Sequence, residues 1–407
     1  MPGALSHVRV LDLSRILAGP WAGQMLADLG ADVIKVERPG AGDDTRGWGP
    51  PWLKDEQGAD TSVAAYYLCA NRNKRSITID ITQAEGQALV RRLAAESDVV
   101  LENFKVGGLA QYGLDYDSLK AVNPRLVYCS ITGFGQDGPY APRAGYDFLI
   151  QGLGGLMSIT GRPDGEEGGG PMKVGVALTD ILTGLYATNA VLAALAWRDK
   201  SGEGQYIDMA LLDVQVACLA NQAGNYLATG QSPQRLGNAH PNIVPYQDFP
   251  TADGYMILAI GNDGQFARFC AAAGAPQLAS DERFATNRAR VVNRATLIPL
   301  LKKLTVERST ADWIARLEAL AVPCGPINTL ADVFADPQVQ ARGMKVAMPH
   351  PVAGQVPLVA SPMKLSATPV DYRLPPPMLG EHTDEILAAT LGLDAAAIAR
   401  LRADGVV

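Results

Sequence analysis

The stretch that decides the fold is Val8–Glu37, VRVLDLSRILAGPWAGQMLADLGADVIKVE. A short apolar run, Val8–Leu13, is followed by Ala18-Gly19-Pro20 and a helical stretch, Trp21–Leu29. Gly30 ends that helix, and Asp32–Glu37 is a second strand. The rhythm continues outward with Ser76–Asp80 (SITID), a helix over Gln83–Ala95, a strand at Asp98–Glu102 (DVVLE), a helix near Ser118–Val122 and a strand at Leu126–Ile131. Strands separated by helices of about ten residues and short turns are the pattern of a parallel sheet in a doubly wound α/β fold.

Further on, Gly152, Gly154, Gly155 and Gly161 precede the run Gly165–Pro171 (GEEGGGP), which reads as mobile loop because glycine loses too much backbone entropy inside regular elements. A short strand, Lys173–Leu178, is expected next. A helix then opens at Thr179-Asp180 and runs to about Trp197, with Leu182, Leu185, Ala190, Val191, Leu192 and Leu195 as a wide buried face. Past Ala228 the character changes. Polar turns, a hairpin around Thr251–Gly254 and helices at Gln265–Ala273, Arg294–Leu304 and Thr310–Ala321 suggest a smaller α+β domain, with Pro299 kinking the second helix or marking its start. The tail returns to a strand near Val356–Leu365 and ends in helices after His382 and around Ala395–Arg402. The expected segments are 1–228, 229–330 and 331–407, the last completing the large domain.

The chain has 407 residues, with 35 Lys+Arg against 42 Asp+Glu, a formal charge of −7 and a pI near 5.2. At 47% hydrophobic and 19% charged it is globular, and its acidic balance argues against a general nucleic-acid binder. Cys69, Cys129, Cys218, Cys270 and Cys324 are scattered and never spaced CxxC, so neither a disulfide framework nor a zinc cage is expected. His7, His240, His350 and His382 show no HxxxH pattern, which argues against a metal site. No GxSxG or P-loop is present, and Gly152, Gly154 and Gly155 start like a GxGxxG fingerprint but are followed by Met157 where its last glycine would stand, so a dinucleotide-binding reading is weak. The N-terminal stretch has no apolar signal region. The uncharged windows Ile181–Trp197 and Val214–Gln234 carry too many polar residues for a spanning helix, so a cytoplasmic protein without a membrane partner is expected.

Two features could carry chemistry. Asp180 opens a helix after a strand, for which a plain N-cap is the commoner reading; a nucleophilic carboxylate kept ionised by the helix N-terminus is the other. Local sequence does not choose between them. Arg38 follows the second strand and Arg72, Lys74 and Arg75 (NRNKRS) precede the third, where a solvated turn and a phosphate-binding cluster are equally consistent. Tyr146-Asp147, in a polar turn before an apolar helix, is either a cap or a pair of site residues.

With these residues in view, the chain resembles the class III CoA-transferases, the family of formyl-CoA transferase and L-carnitine CoA-transferase. The resemblance runs through VLDLSRILAGPWAGQMLADLGADVIKVERPGAGDDTR (10–46), NRNKRSITID (71–80), ENF (102–104), ITGFGQDGPY (131–140), VGVALTDILTG (174–184), GQYIDMALLD (204–213), GNAHPNIVPYQDF (237–249), VPCGPIN (322–328) and LGEHTDEIL (379–387). It implies that Asp180 carries the acyl group and then CoA, by way of a mixed anhydride and an aspartyl-CoA thioester. It implies that Ile16 and Leu17 line the pantetheine path, with the Leu17 amide near the reacting carbonyl. Arg38, Arg72, Lys74, Arg75, Asn103, Phe104, Lys105 and Tyr146 would hold the rest of CoA, a substrate here rather than a bound cofactor.

Two departures stand out. Leu17 replaces the glutamine of formyl-CoA transferase, and Gln111 stands where many members carry arginine, with Lys105 close enough to compensate. The racemase branch of the superfamily has histidine where Tyr146 stands in AGYD, and a tyrosine is a poor partner for two-base proton transfer. An α-methylacyl-CoA racemase and a non-catalytic acyl-CoA-binding paralogue are the alternatives. The pattern in AGYDFLIQGLGGLMSITG (144–161) and RLGNAHPNIVPYQDFPTADG (235–254) is most similar to the dicarboxylate branch, succinyl-CoA:glutarate CoA-transferase in particular. A dicarboxylate acceptor needs a cation or several donors for its distal carboxylate, and Arg15, Arg143, Tyr146 and His240 are the residues expected to supply them. The family also implies an interlocked, ring-like homodimer with a Rossmann-like large domain and a small middle domain.

Overall fold

The computed structural model describes residues 3–407; Met1 and Pro2, at the start of the strand-like N-terminal stretch, lie outside them. Two compact units result. The first is built from the chain up to Leu156, Val174–Ala223 and Pro337–Val407, the second from Met157–Lys173 and Gly224–Asp336. The chain therefore passes between them four times. The sequence reading placed breaks near 228 and 330 and did not anticipate the excursion of 157–173.

The first unit centres on six strands: β1 (Arg9–Asp12), β2 (Asp32–Glu37), β3 (Lys74–Thr78), β4 (Val99–Glu102), β5 (Val127–Thr132) and β6 (Tyr206–Ala210). They lie in the order β3-β2-β1-β4-β5-β6 and every pair is parallel. This is the doubly wound order, in which the chain changes direction between β1 and β4 and ligands gather outside the carboxyl ends of the strands.

Period-two alternation splits the apolar side chains between the two faces. Val10, Val33, Val99, Leu101 and Val127 bury one face with helices α1 (Ala18–Asp28) and α4 (Leu178–Ser201). Leu11, Ile34, Ile77, Val100 and Tyr128 bury the other with α2 (Ala84–Ala95) and, from the far end of the chain, α5 (Thr383–Leu391) and α6 (Ala395–Ala403). Between them in sequence, α3 spans Asp147–Leu153. By length and composition α4 could cross a membrane, but here it packs along α1.

Several expectations change. The stretch 173–178 is not a strand: Val176 is exposed, the Val174 amide donates to Gln151 Oε1 at 2.9 Å, and helix α4 begins at Leu178. The strand expected at Ser76–Asp80 starts at Lys74, straight after Asn73, whose φ of 61° turns the chain. β6 escaped the sequence reading because it is an edge strand, only partly buried, with Asp208 in its middle. Of the glycines before the run Gly165–Pro171, Gly152 is inside α3 and Gly154 caps its end, where a Cβ would lie 2.4 Å from Gln215 Cγ. The tail strand is Gly354–Val359, paired antiparallel with Lys345–His350, and stops before Pro362.

In the second unit the strands Tyr246–Pro250, Tyr255–Ala259 and Cys324–Pro326 form an antiparallel sheet. Phe249, Met256, Phe266, Phe269, Leu301 and Trp313 fill its core, with helices Asp263–Ala272, Arg294–Thr305 and Thr310–Ala319. Pro299 sits inside the second helix and does not start it. Residues 157–173 join this unit through Arg235, whose guanidinium donates to the carbonyls of Ser158 and Arg162 and pairs with Asp164.

Candidate active site

A cavity of about 540 Å³ opens at the carboxyl ends of β1 to β5. Its walls follow the strands: Leu13–Ala18 after β1, Glu37 and Arg38 after β2, Ile79–Thr82 after β3, Asn103–Val106 after β4, and Thr132 and Gly133 at the end of β5. All belong to the first unit, as do Arg143–Tyr146 and Asp180, which also line the cavity.

The loop after β1 is pinned by side chains of β1 and β2 and of the segments that follow β2 and β4. The Ser14 amide donates to Asp12 Oδ1 at 3.0 Å, and its carbonyl accepts from Lys35 Nζ at 2.9 Å. Asn103 grips both sides of Arg15: Oδ1 accepts from the Arg15 amide at 2.9 Å and Nδ2 donates to its carbonyl at 2.7 Å. The Ile16 amide reaches Asp43 Oδ1 at 3.3 Å. Ile16 itself has φ 72°, a left-handed conformation that costs a non-glycine residue about 1–2 kcal/mol and is rarest for β-branched side chains. That turn delivers Leu17 as the N-cap of α1 with no capping side chain, so the first amides of the helix keep no side-chain acceptor beside the cavity.

Beneath this loop lie two buried ion pairs, Asp12–Lys74 and Lys35–Asp43, each at 2.9 Å with no exposed side-chain surface. Burial alone would raise the Asp43 carboxyl, but the Lys35 ammonium and the Thr45 donors hold it down at about 2. Burial pulls Lys74 down to about 8 against the attraction of Asp12. Breaking one partner of such a pair strands the other charge.

Arg72, Lys74 and Arg75 therefore do not reach the ligand cavity. They sit at the amino end of β3, whereas the cavity is at the carboxyl ends. Arg72 is buried against Asp28, with Nε at 2.9 Å, Lys74 is spent on Asp12, and Arg75 binds Asp32 at 2.7 Å and Glu385 at 2.9 Å. The free cations of the cavity are Arg38, Lys105 and Arg143, none of which forms an ion pair with a described residue. Arg15 lines the cavity too, but pairs with Asp44 at 2.9 Å. Arg143 lies over the rings of Phe134 and Tyr140, 5.1 and 4.5 Å from their centroids. Its loop is closed by a backbone approach that only glycines permit, since a Cβ on Gly133 would lie 2.6 Å from Gly145 Cα. Phe104, Tyr146 and Gln111 also line the cavity. His240 does not: it belongs to the second unit, where Nδ1 accepts from the Asn242 amide at 3.1 Å.

Asp180 is the third residue of α4, whose N-cap is Ala177, so the N-cap reading is set aside. The residue is 9% exposed, and no described residue donates a hydrogen bond to its carboxylate. Burial, and after it the charge of Asp147, pushes its pKa up to about 7. One turn on, Gly184 lets α4 cross α1 closely, because a Cβ there would lie 2.8 Å from the Ala18 carbonyl oxygen. The same crossing brings Asp180 and the start of α1 to one cavity. The signal missed in the sequence was charge inside apolar runs: Asp12 in VLDL and Lys35 in DVIKVE are the buried ions that shape the loop.

The first unit thus holds a doubly wound sheet, a cavity with free cations at its carboxyl ends and a buried, unbonded carboxylate in the cavity wall; the class of protein comes from comparison with known ones. Residues 5–383 match the model of CoA-transferase family III, and the chain belongs to that family. It is a CoA-transferase, for which acyl-CoA is a substrate. It is 57% identical, over 94% of its length and 95% of the relative's, to the succinate–glutarate CoA-transferase of Agrobacterium fabrum. It is 45% identical to the succinyl-CoA:glutarate CoA-transferase of Homo sapiens, over 99% of this chain and 90% of that one. A solved CAIB/BAIF family protein from Brucella suis superposes with a TM-score of 0.84 at 56% identity, covering 96% of this chain and all of that one.

Proposed function

We propose that the protein moves CoA from succinyl-CoA to glutarate or a similar dicarboxylate, with Asp180 as the covalent relay. The observation that carries this reading is the Asp180 carboxylate, buried at the cavity wall with no donor to quench it. One Asp180 oxygen attacks the donor's thioester carbon; the C–S bond breaks, leaving an acyl-aspartyl anhydride and CoA thiolate. The thiolate attacks the aspartyl carbonyl, the anhydride C–O bond breaks, and the donor acid departs as a carboxylate. The acceptor carboxylate then attacks the aspartyl-CoA thioester and expels the thiolate. Finally the thiolate takes the acceptor acyl group from the new anhydride and restores Asp180. Charge and protons balance at every step.

The rest of the cavity supports these roles. The open amides at the start of α1, beside Leu17, suit an oxygen that gains negative charge as the thioester is attacked. Arg38 and Lys105 are free to meet the phosphates of CoA, and Phe104 offers an apolar face nearby. Arg143, exposed and without an ion pair among the described residues, is the cation suited to the distal carboxylate of a diacid, and Arg15 also lines the cavity. Tyr146 stands where the racemase reading needs histidine, which disfavours that reaction. The identities to glutarate CoA-transferases support the choice of acids.

A homodimer belongs to the same proposal. Phe148 and Leu153 of α3 and Tyr186 and Trp197 of α4 are exposed apolar side chains of a kind that an interface covers. Sedimentation at micromolar concentration is expected to give a dimer, and a monomer throughout would refute this part. The reaction is tested by incubating the protein with succinyl-CoA and, separately, glutarate, itaconate, malate, oxalate, formate or carnitine, and reading new acyl-CoA by mass. Glutaryl-CoA made by the wild type and not by Asp180→Ala is the expected result. Transfer that survives in Asp180→Ala would overturn the mechanism.

A further inference from the structure

An aspartate in the first turn of a helix ordinarily turns back onto the open amides beside it, which lowers its basicity and quietens it as a nucleophile. In α4 those amides are taken by a different residue. Asp147, on α3, places Oδ1 2.8 Å from the Thr179 amide and 3.3 Å from the Asp180 amide. Its other oxygen accepts from Gln151 Nε2 at 2.7 Å. Gln151 is wholly buried and in turn fixes the approach to α4, accepting the Val174 amide at 2.9 Å. Thr179 Oγ1 is also engaged, donating to Gln215 Oε1 at 2.7 Å. The Thr179 and Asp180 amides and the Thr179 hydroxyl, which could otherwise draw the Asp180 carboxylate back onto its own helix, are therefore occupied.

Resting on the reading of Asp180 as the nucleophile, we propose that Asp147 is a positioning residue: it caps α4 in place of Asp180, and so keeps the Asp180 carboxylate free, facing the cavity and basic. It touches no substrate. Its effect passes through the backbone of Asp180 and through its own negative charge, which helps hold the neighbouring carboxyl above its ordinary range. The other titratable group tied to Asp180 is Tyr66, whose phenol is pushed up to about 12 by burial and then by the charge of Asp180. It stays neutral across the range in which Asp180 ionises. No cation among the described residues pairs with Asp180.

The test compares Asp147→Asn, which keeps an acceptor for the α4 amides and loses the charge, with Asp147→Ala, which loses both. Asp180 is titrated in each full-length protein by carbon-13 NMR of its carboxyl, assigned with Asp180→Asn, and kcat and KM are followed against pH. Both variants should shift the Asp180 midpoint downward, by about half a unit or more. The acid limb of kcat should shift with it. The plateau of kcat should fall tenfold or more in Asp147→Ala and less in Asp147→Asn, with KM for acyl-CoA nearly constant. An Asp180 midpoint that stays put in both variants, or one that rises, overturns the proposal, as does a loss confined to thermal stability or to KM. The NMR titration does not need turnover, so it also separates this inference from the reaction assigned above: activity in Asp180→Asn would sink the reaction and leave the titration result to stand or fall by itself.

Discussion

Removing the Asn103 side chain should cost turnover and leave binding almost intact. Two hydrogen bonds, at 2.9 and 2.7 Å, tie Asn103 to the Arg15 peptide and hold Ile16 at φ 72°. At about 0.5–1.5 kcal/mol each, they contribute about 1–3 kcal/mol. The left-handed turn of an isoleucine costs about 1–2 kcal/mol. The two quantities are of the same size, so Asn103→Ala removes the margin that keeps the loop turned. The population with Leu17 correctly presented should drop about 5–150-fold, with kcat following it. KM for acyl-CoA should change little, because Arg38 and Lys105 are untouched. Replacing Ile16 by glycine removes the conformational cost, so Asn103→Ala with Ile16→Gly should recover part of the lost kcat. Steady-state kinetics on the two single variants and the double variant decide the matter. A raised KM with unchanged kcat in Asn103→Ala would mean that Asn103 contacts CoA directly. A double variant no better than Asn103→Ala would refute the role given to the Ile16 turn.

Two more outcomes follow from the charges of the site. The Asp180 carboxyl rises from its ordinary 3.8 to about 7 on folding, so between those values the folded state holds a proton that the unfolded chain has lost. Stability should therefore fall as pH rises from about 4 to about 7 and stay level above, by about 4 kcal/mol at most. Asp180→Asn should be more stable than the wild type at pH 8 and no more stable at pH 4, by urea denaturation; equal midpoints at pH 8 would contradict the raised carboxyl. Arg143→Gln should raise KM for a dicarboxylate acceptor about tenfold while sparing a monocarboxylate, and equal effects on both would remove Arg143 from acid recognition.

Much of this was legible in the chain because it rests on period and punctuation. The alternation of Val8–Leu13, the helix stopped at Gly30 and the run Asp32–Glu37 show where the sheet begins, and β1, α1 and β2 occupy those residues. What depended on partners in space was not legible. β6 needs β5 beside it to be a strand, and its half-exposed pattern carries little apolar signal. Arg72, Lys74 and Arg75 look like a phosphate cluster when read along the chain. Only the pairing of β3 with β2 shows that they are at the wrong end of the strand and already bound to Asp28, Asp12 and Asp32. Asp180 reads as a cap until Asp147, 33 residues earlier, is seen on its amides.

The central claim is that Asp180 becomes covalently loaded. Incubating the protein with succinyl-CoA and no acceptor, quenching in acid and measuring intact and peptide mass tests it most directly. An added mass equal to CoA joined with loss of water, on the peptide holding Asp180 and absent from Asp180→Ala, is the predicted result. A protein that transfers CoA to glutarate at full rate, yet never carries that mass on Asp180 under any quench, would contradict the account.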